Sequence, residues 1–389
     1  MTEKGVIPVL KRELHRMTER PVYLMMTIII PSVVILFFAT FLNQGMPSSL
    51  PIAVVDFDNS AMSRLIIRNL SAGQTCDVKY KLTSYESCKT KMRKGEIYAF
   101  VIIPRNFEKD VYNHKNPAVN FHTEYVHYLA GSLIMKEINT TLSTIAAGVD
   151  LKVRLAKGEN YNSAMAQVNP VKNDTHIIGN AQLNYSFYLS SVIMPGIIFL
   201  MALICTVYVI GIEFKVGSSR RWLVTSNRNI AVAVAGKLIP YTVLFSLMVI
   251  VSEIVMEKLM GFPSKGNPAL LYLGAVMTVV AYQAMGILIV GILPSLRTAL
   301  SISAFYGVIG FTLAGFTYPH LAMLAAVKPY TYLYPIRQYY MIYSNVQING
   351  LPFMQTLWPF LFLLMFNFAP FLVLWNIKRT AIKLDFERD

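Results

Sequence analysis

Charged residues are scarce in this chain. Asp, Glu, Lys and Arg make up 14% of its 389 residues, whereas about 25% is usual in soluble proteins. Long uninterrupted apolar runs account for the deficit, and hydrophobic residues reach 54%. This distribution argues against an ordinary soluble globular protein and predicts a chain that crosses a lipid bilayer several times.

Acidic residues are fewer than basic ones, 21 against 35, so the formal net charge is +14. Such an excess can indicate nucleic-acid binding. Here, however, the basic residues lie beside apolar runs, where they set the orientation of a membrane protein. The sequence therefore predicts contact with membrane lipid and no nucleic-acid partner.

Cysteine is also rare, and the three cysteines have no metal-ligand spacing. Cys205 falls inside an apolar run, which favours a packing role. Cys76 and Cys88 share one polar segment, where either a disulfide outside the cytoplasm or two free thiols would fit.

Motifs for catalysis and nucleotide binding are missing. Gly236-Lys237 is followed by Leu238, without the upstream glycine and the Ser or Thr of a phosphate-binding loop. His122 and His127 are five residues apart, which suits neither a zinc-binding helix face nor one side of a strand. The sequence predicts no metal, no cofactor and no ATP hydrolysis by this chain itself.

Six apolar runs are long enough to span a membrane. The first, residues 22–42, holds no charge in 21 positions and is longer than the core of a signal peptide, so we predict an uncleaved transmembrane helix over 21–42. The other runs are roughly 187–212, 231–256, 269–293, 299–317 and 356–377.

Short segments at one side of these spans are rich in Lys and Arg. Residues 1–20, 213–230, 294–298 and 378–389 hold 5, 4, 1 and 4 of them. The positive-inside rule therefore predicts that both termini are cytoplasmic. In residues 1–20, apolar positions recur at helical spacing between charges, which predicts an amphipathic interface helix. Its apolar stripe is Val6, Val9, Leu10, Leu14 and Met17.

Residues 43–184 differ from the rest: they are polar, carry 16 Lys and Arg against 12 Asp and Glu, and contain no spanning run. Apolar stretches at 52–55, 98–103 and 118–121 alternate with helical patterns, which predicts an extracytoplasmic α/β domain between the first and second spans. Asp58 or Ser60 would cap one helix, and Thr83 or Ser84 the next. A long helix from about Leu129 carries an apolar stripe expected to pack on the domain's own sheet.

Residues 318–355 are semi-polar and rich in proline. They predict a broken or re-entrant hairpin on the outer side, which a membrane protein tolerates where protein or a water-filled cavity covers the backbone. The predicted membrane region over 185–377 contains this hairpin and the second to sixth spans. A cytoplasmic tail over 378–389 follows it.

Residues 213–241 read EFKVGSSRRWLVTSNRNIAVAVAGKLIPY. This stretch resembles the loop between the second and third spans of type-2 ABC exporter permeases, where E-x-E-x-G-T leads to L-x-T-P and then to G-K-x-x-P-Y. Lys215, Ser218 and Ser226 depart from that pattern. Three more regions resemble the family in the same order: PIAVVDFDNSAMSR at 51–64, VIIPRNF at 101–107, and the glycine, proline and arginine positions of 315–337.

The resemblance implies a permease that works with two copies of a separate ABC ATPase, which binds ATP and Mg²⁺. It further implies a second permease, as a homodimer or a sister chain, and a periplasmic adaptor is a further candidate partner. A coupling loop at 213–230 would contact the ATPase, and other positions would serve in the spans or in gating. The coupling residues implied are Glu213, Gly217, Arg220 and Arg221; the span and gating residues are Lys237, Pro240, Gly315, Phe316, Pro319 and Arg337.

The function predicted is outward movement of an apolar or amphipathic substrate, such as a drug, lipid or glycan, across a bacterial plasma membrane. A membrane receptor or sensor, with residues 43–184 binding a ligand, remains the main alternative. A membrane-embedded enzyme is less well supported, because Lys237 and Glu253 do not converge in sequence. The competing interpretation of the loop at 213–230 is that its basic residues only fix the orientation of the protein in the membrane.

Overall fold

The computed structural model describes residues 4–42, 45–113, 115–169, 176, 179–180 and 184–383. Parts of the predicted N-terminal helix, of the 43–184 domain and of the cytoplasmic tail therefore lie outside the described residues. The chain divides into two compact units, Met46–His176 and the combination of Met1–Gly45 with Ile177–Asp389.

Six helices in the described ranges are long and apolar enough to cross a membrane, which confirms the prediction of a mainly helical membrane protein with six spans. In chain order, the first to sixth spans are Pro21–Phe41, Tyr185–Lys215, Ile230–Leu259, Pro268–Ile292, Leu296–Leu313 and Phe353–Lys383. Asparagines begin three of them: Asn184, Asn229 and Asn267 each accept a hydrogen bond from a backbone N–H in the first turn. These caps satisfy donors that have no partner within the helix.

The second and fourth spans form the centre of the helical bundle. Of their most apolar stretches 67% is buried, against 22% to 39% for the other four spans. Trp358 on the sixth span and Phe305 on the fifth instead point outward. Exposed apolar side chains on outer helices are expected where the surrounding solvent is hydrocarbon.

The segment between the fifth and sixth spans is folded back on itself. It contains 3₁₀ turns at His320–Ala322 and Lys328–Leu333, an α-helix at Pro335–Ile342 and a π-helical stretch at Tyr343–Ile348. Tyr306, roughly 15 Å into the fifth span, donates to the Leu333 carbonyl at 2.5 Å. Further on, Lys265 N–H, in the loop between the third and fourth spans, donates to the Gln347 carbonyl at 3.1 Å. This segment therefore runs alongside the fifth span and then returns to the level of that loop.

Unit Met46–His176 contains a four-stranded sheet with the order β2-β1-β3-β4. The strands are β1 (Leu50–Asp56), β2 (Cys76–Leu82), β3 (Ala99–Ile103) and β4 (Asn120–Thr123). β1 pairs in parallel with β2 and β3, and β4 is antiparallel to β3. The sequence missed β2, because its outward-facing positions are charged. It also placed β4 two residues too early, at 118–121.

Two helices make the parallel connections of this sheet. Helix Ala61–Ala72 is capped by Ser60, whose hydroxyl accepts from Ser63 N–H at 3.0 Å. Helix Tyr85–Arg93 is capped by Ser84, which accepts from Ser87 N–H at 3.3 Å. Between the caps proposed from sequence, the structure therefore selects the serine in both cases.

The cysteines of this unit are free and buried. Alternate residues of β1 point to opposite faces of the sheet: Ile52 packs in the same cluster as Cys76, and Ala53 in the cluster of Cys88. The two thiols thus lie in separate clusters on opposite faces. Of the two alternatives left open by the sequence, the structure has free thiols.

The long helix Tyr128–Ala156 packs on the sheet over only part of its length. Ile134 and Ile138 are fully buried in the cluster under the sheet. Leu142, Ile145 and Val149 continue the same stripe but are only partly covered, and they line a cavity of about 470 Å³. The whole predicted stripe therefore packs against the cluster under the sheet, fully buried at Ile134 and Ile138 and partly buried beyond them.

Candidate functional site

The N-terminal helix Val6–Glu19 packs against the beginning of the third span. Val9, Glu13 and Met17, at intervals of four residues, form its buried face. Close approach depends on Gly236: a Cβ added there would lie 2.9 Å from the Val6 carbonyl oxygen. Of the apolar stripe predicted from sequence, Val9 and Met17 are buried against the protein, whereas Leu14 is 48% exposed.

An acidic residue stands in the middle of that buried face. The Glu13 carboxylate accepts a hydrogen bond at 2.6 Å from Lys237 Nζ of the third span and another at 2.8 Å from the Tyr241 hydroxyl. Lys237 Nζ also donates to Glu213 Oε1, at the end of the second span, at 2.7 Å. Glu213 and Lys237 have no exposed surface. One ammonium group therefore joins two carboxylates from two other helices.

Two arginines complete the coordination of Glu213. Arg12 donates to Glu213 Oε2 at 3.0 Å, and Arg16 donates to Glu213 Oε1. The Ser218 hydroxyl donates to the same carboxylate and accepts from Arg16 at 3.3 Å. We name these residues the buried charge cluster: Arg12, Glu13, Arg16, Glu213, Ser218, Lys237 and Tyr241.

The buried charge cluster is compensated. Three cations face two carboxylates, and both carboxylates accept from several donors. Burying an isolated charge costs several kcal/mol (on the order of 3–5 when one partner is removed), whereas a well-paired network avoids that penalty. The cluster thus links three helices through buried ion pairs, although Arg12 Nη1 is buried without a hydrogen-bond partner within the described residues.

The local chain geometry explains how Glu213 reaches the cluster. The second span ends at Lys215 and turns through Gly217, whose φ of +72° favours glycine. Ser218 N–H donates back to the Glu213 carbonyl at 2.9 Å, which brings the Ser218 side chain beside the carboxylate. Gly217, one of the coupling residues implied by the resemblance, thus shapes the turn.

A short helix, Ser219–Thr225, follows this turn. Trp222 is fully buried and donates through Nε1 to the Ala233 carbonyl at 3.1 Å. Its ring also lies 5.6 Å from Lys237 Nζ. Gly5 N–H donates to the Thr225 carbonyl at 3.0 Å. The short helix is therefore fixed both to the N-terminal helix and to the third span.

The two arginines of the short helix differ in their surroundings. Arg220 donates to the Ile382 carbonyl at 2.9 and 3.1 Å, near the end of the sixth span. The Arg221 side chain is exposed and forms no hydrogen bond or ion pair within the described ranges. Val224, one helical turn further, is also exposed. The outward face of this helix thus combines a free guanidinium with an apolar side chain.

Sequence reasoning missed the N-terminal half of the cluster. It singled out Glu213 and Lys237, and Tyr241 through the G-K-x-x-P-Y match, but not Arg12, Glu13 or Arg16. One signal was available: Glu13 lies midway between Val9 and Met17 at a spacing of four, on the apolar face of an amphipathic helix. An acid in that position needs a buried cation as partner.

The remaining predicted span and gating residues lie mostly in the folded-back segment. Pro240 is buried within the third span, one turn from Lys237. Gly315 has a φ of +98° and lies against the guanidinium of Arg337. The Phe316 carbonyl accepts from Tyr188 of the second span at 3.3 Å, and Pro319 precedes the first 3₁₀ turn. The structure thus brings Gly315 and Arg337 together, whereas Lys237 belongs to the buried charge cluster.

Within the described ranges, no three His, Cys, Asp or Glu side chains converge on a point where a metal ion could bind. Both carboxylates of the buried charge cluster accept hydrogen bonds from the chain's own donors. The cluster connects the N-terminal helix to two membrane spans.

Comparison with known proteins agrees with this architecture. The family profile described as ABC-2 family transporter protein matches residues 21–375. No curated protein matches the chain. The match covers all but the two ends of the sequence, including five full spans, most of the sixth, and the short helix Ser219–Thr225. The chain thus belongs to the ABC-2 family of transporter proteins, as the membrane subunit of an ABC transport system.

Proposed function

We propose that this chain is the permease of an ATP-driven exporter that moves an apolar or amphipathic substrate outward across a bacterial plasma membrane. ATP is bound and hydrolysed by two copies of a partner ATPase, and a second permease, identical or related, completes the pathway. The observation that carries this proposal is the buried charge cluster, because it joins the short helix Ser219–Thr225 to the helices that must move.

The short helix is the proposed ATPase docking element. Arg221 and Val224 on its outward face suit a partner surface that is both acidic and apolar, since arginine pairs bidentately with carboxylates. On its inward face, Trp222 and the Thr225 carbonyl connect it to the third span and to the N-terminal helix. Movement of the docked ATPase would therefore displace the third span and the N-terminal helix together with the short helix.

Glu213 has a different role in this proposal from the arginines. Because its carboxylate is fully buried, it does not touch the ATPase. It holds the turn at Gly217 against the N-terminal helix through Arg12 and Arg16. Arg220 holds the end of the sixth span. Of the four coupling residues that the resemblance implies, Arg221 is therefore the one best placed to contact the ATPase.

A charge reversal tests the docking surface. Arg221→Glu should weaken ATPase co-purification at least about tenfold, because a favourable ion pair becomes a repulsive one. The matched control is Arg297→Glu, an exposed arginine in the first turn of the fifth span, at the end predicted to be on the same side. Glu213→Gln should leave the ATPase bound but abolish export. If the ATPase is retained equally by Arg221→Glu and by the control, the docking surface is elsewhere.

The proposed orientation places Ser219–Thr225 in the cytoplasm and unit Met46–His176 outside. It is supported by the Lys and Arg content of the short loops. Cysteines introduced at the exposed positions Asn139 and Asn227 should differ: in intact cells a membrane-impermeant maleimide labels the first but not the second. The native cysteines are buried, so background labelling should be low. The reverse labelling pattern would invert the topology and remove the docking assignment.

A further inference from the structure

Arg337 is a buried arginine without a counter-ion. It lies in the first turn of helix Pro335–Ile342, within the folded-back segment between the fifth and sixth spans. Its side chain is embedded, with the residue only 5% exposed. Within the described ranges it forms no ion pair and no side-chain hydrogen bond, and its Nε is buried without an acceptor. Buried guanidinium groups are normally paired.

The surrounding sequence offers no partner. From residue 258 to residue 384 the chain contains no Asp or Glu. The charged side chains that act on the His320 ring are Arg337 and Lys328, and all three residues are basic. Lys328 Nζ is already directed to the Leu321 carbonyl at 3.1 Å. This part of the permease therefore presents positive charge that the chain itself does not neutralise.

An aromatic ring, an imidazole and a glycine surround the Arg337 guanidinium. The Tyr332 ring covers one side, with its centroid 5.0 Å from the guanidinium carbon. The His320 ring is 5.9 Å from that of Tyr332, and its Nε2 is buried with no hydrogen-bond partner within the described residues. Nη1 lies close to Gly315, where a Cβ would come within 3.3 Å of it, so the glycine avoids a side chain packed tightly against the guanidinium.

Apolar side chains of the same segment are exposed beside this site. Leu321 is 89% exposed, Leu324 76% and Tyr330 61%. In a bilayer such side chains contact hydrocarbon. A ligand that satisfies both features has an anionic group for the guanidinium and an apolar chain for this surface.

We propose that Arg337 binds the oxyanion of an anionic amphiphile, a phosphate or carboxylate carried on a hydrocarbon chain. The planar guanidinium can donate two parallel hydrogen bonds to such a group, and burial strengthens that interaction. The proposal deepens the proposed function, on which it rests, by naming the chemical class of the substrate. Binding is measured without ATP and without a partner chain, so the two proposals can fail separately.

The probe is dodecyl phosphate, added to the purified full-length protein in the uncharged detergent dodecyl maltoside. Titration calorimetry should show saturable binding that is at least about tenfold weaker in Arg337→Met, because a charge-assisted hydrogen-bond pair is lost. Arg337→Lys should bind with intermediate affinity. The matched control is Arg379→Met, since Arg379 also lies over an aromatic ring, that of Trp375 at 5.6 Å, but is exposed.

Thermal unfolding supplies a second test, in which the same substitution that weakens binding is expected to stabilise the ligand-free protein. Without ligand, Arg337→Met should unfold at a higher temperature than the natural protein, because an unpaired buried charge is removed. Dodecyl phosphate should stabilise the natural protein and not this variant. A lower unfolding temperature of ligand-free Arg337→Met would indicate a structural role and overturn the inference, as would unchanged dodecyl phosphate binding. Equal competition by inorganic phosphate at the same concentration would refute the requirement for an amphiphile.

Discussion

Glu213 and Glu253 are both buried carboxyl groups in membrane-spanning helices, yet their surroundings differ. Glu213 is met by one lysine, two arginines and a serine. Within the described residues, Glu253 accepts a hydrogen bond from the Tyr339 hydroxyl and has no cation beside it. A carboxyl group without a cation in such a place is best accommodated in its neutral form, whereas Glu213 is held as an anion by its partners.

The same contrast separates two regions of the bundle. At the buried charge cluster, Lys237 and two arginines form ion pairs with the carboxylates of Glu13 and Glu213. Glu253 and Arg337 have no counter-ion of this kind within the described residues. The proposed roles differ accordingly: the paired cluster links helices that move together, and Arg337 binds a ligand.

The largest effect is expected from removing the central cation. Lys237→Met leaves Glu13 and Glu213 facing each other without the ammonium group that joins them. We expect a loss of about 3–5 kcal/mol in the free energy of unfolding, measured by denaturant titration in detergent. Lys258→Met, at an exposed lysine paired with its neighbour Glu257, should change it by less than about 0.5 kcal/mol. Equal effects of the two substitutions would contradict the bracing role.

The same substitution at the two carboxyl groups tests the comparison directly. Glu213→Gln should lower the free energy of unfolding by about 3 kcal/mol, because Lys237 and two arginines lose their shared anion. Glu253→Gln should change it by less than about 1 kcal/mol, since an amide closely matches a neutral carboxyl group hydrogen-bonded to Tyr339. A large loss at Glu253 would mean that this group is ionised and has an unseen cationic partner.

Separating the N-terminal helix from the third span should break the cluster without removing a charge. Gly236→Ala places a methyl group 2.9 Å from the Val6 carbonyl oxygen and 3.0 Å from Val9 Cβ, which should cost about 1–3 kcal/mol. Gly148→Ala is the matched control: it is also within a helix but meets nothing within 4 Å. This variant should be more stable by about 0.5–1 kcal/mol, so the two substitutions should have opposite signs in the same unfolding assay.

An exposed ion pair should have the smallest effect. Lys91 Nζ lies 2.5 Å from Glu96 Oε2, and this hydrogen bond lowers the pKa of Glu96 and raises the pKa of Lys91. A lowered carboxyl pKa stabilises the fold above about pH 4.3, and that contribution disappears as the pH falls through the folded-state value. The raised lysine pKa contributes below about pH 10.4 and is lost as the pH rises through its folded-state value.

Glu96→Gln should therefore lower the unfolding temperature slightly between these limits and have no effect in strong acid. High salt should reduce the difference, because both side chains are near the surface. If Glu96→Gln destabilised the protein as much as Glu213→Gln does, burial would not be what makes the Glu213 ion pairs contribute more to stability.

Much of the membrane architecture could be predicted from the sequence. Apolar runs of about 20 residues without charge allow few alternatives to a spanning helix, so six spans were found close to their observed positions. Serine caps and the alternation of strands and helices indicated the α/β unit. β2 was missed because its residues alternate between charged and apolar, and such an edge strand resembles a polar loop.

The pairing of buried charges could not be predicted in the same way. Glu13 and Glu213 lie 224 and 24 residues from Lys237 along the chain, and no local pattern links them. Arg337 was singled out only through a resemblance. The lack of acidic residues near it in the sequence indicates an unpaired charge only because the structure shows that Arg337 is buried.

By itself, therefore, the sequence determined which segments enter the bilayer, because hydrophobicity acts on each segment separately. That the protein is a permease was implied by the resemblance of its motifs to type-2 ABC exporter permeases. Only the tertiary structure decided which charges are compensated. A charge in a low-dielectric interior is stable or costly according to its neighbours within a few ångströms, and those neighbours come from helices that meet only when the bundle is assembled.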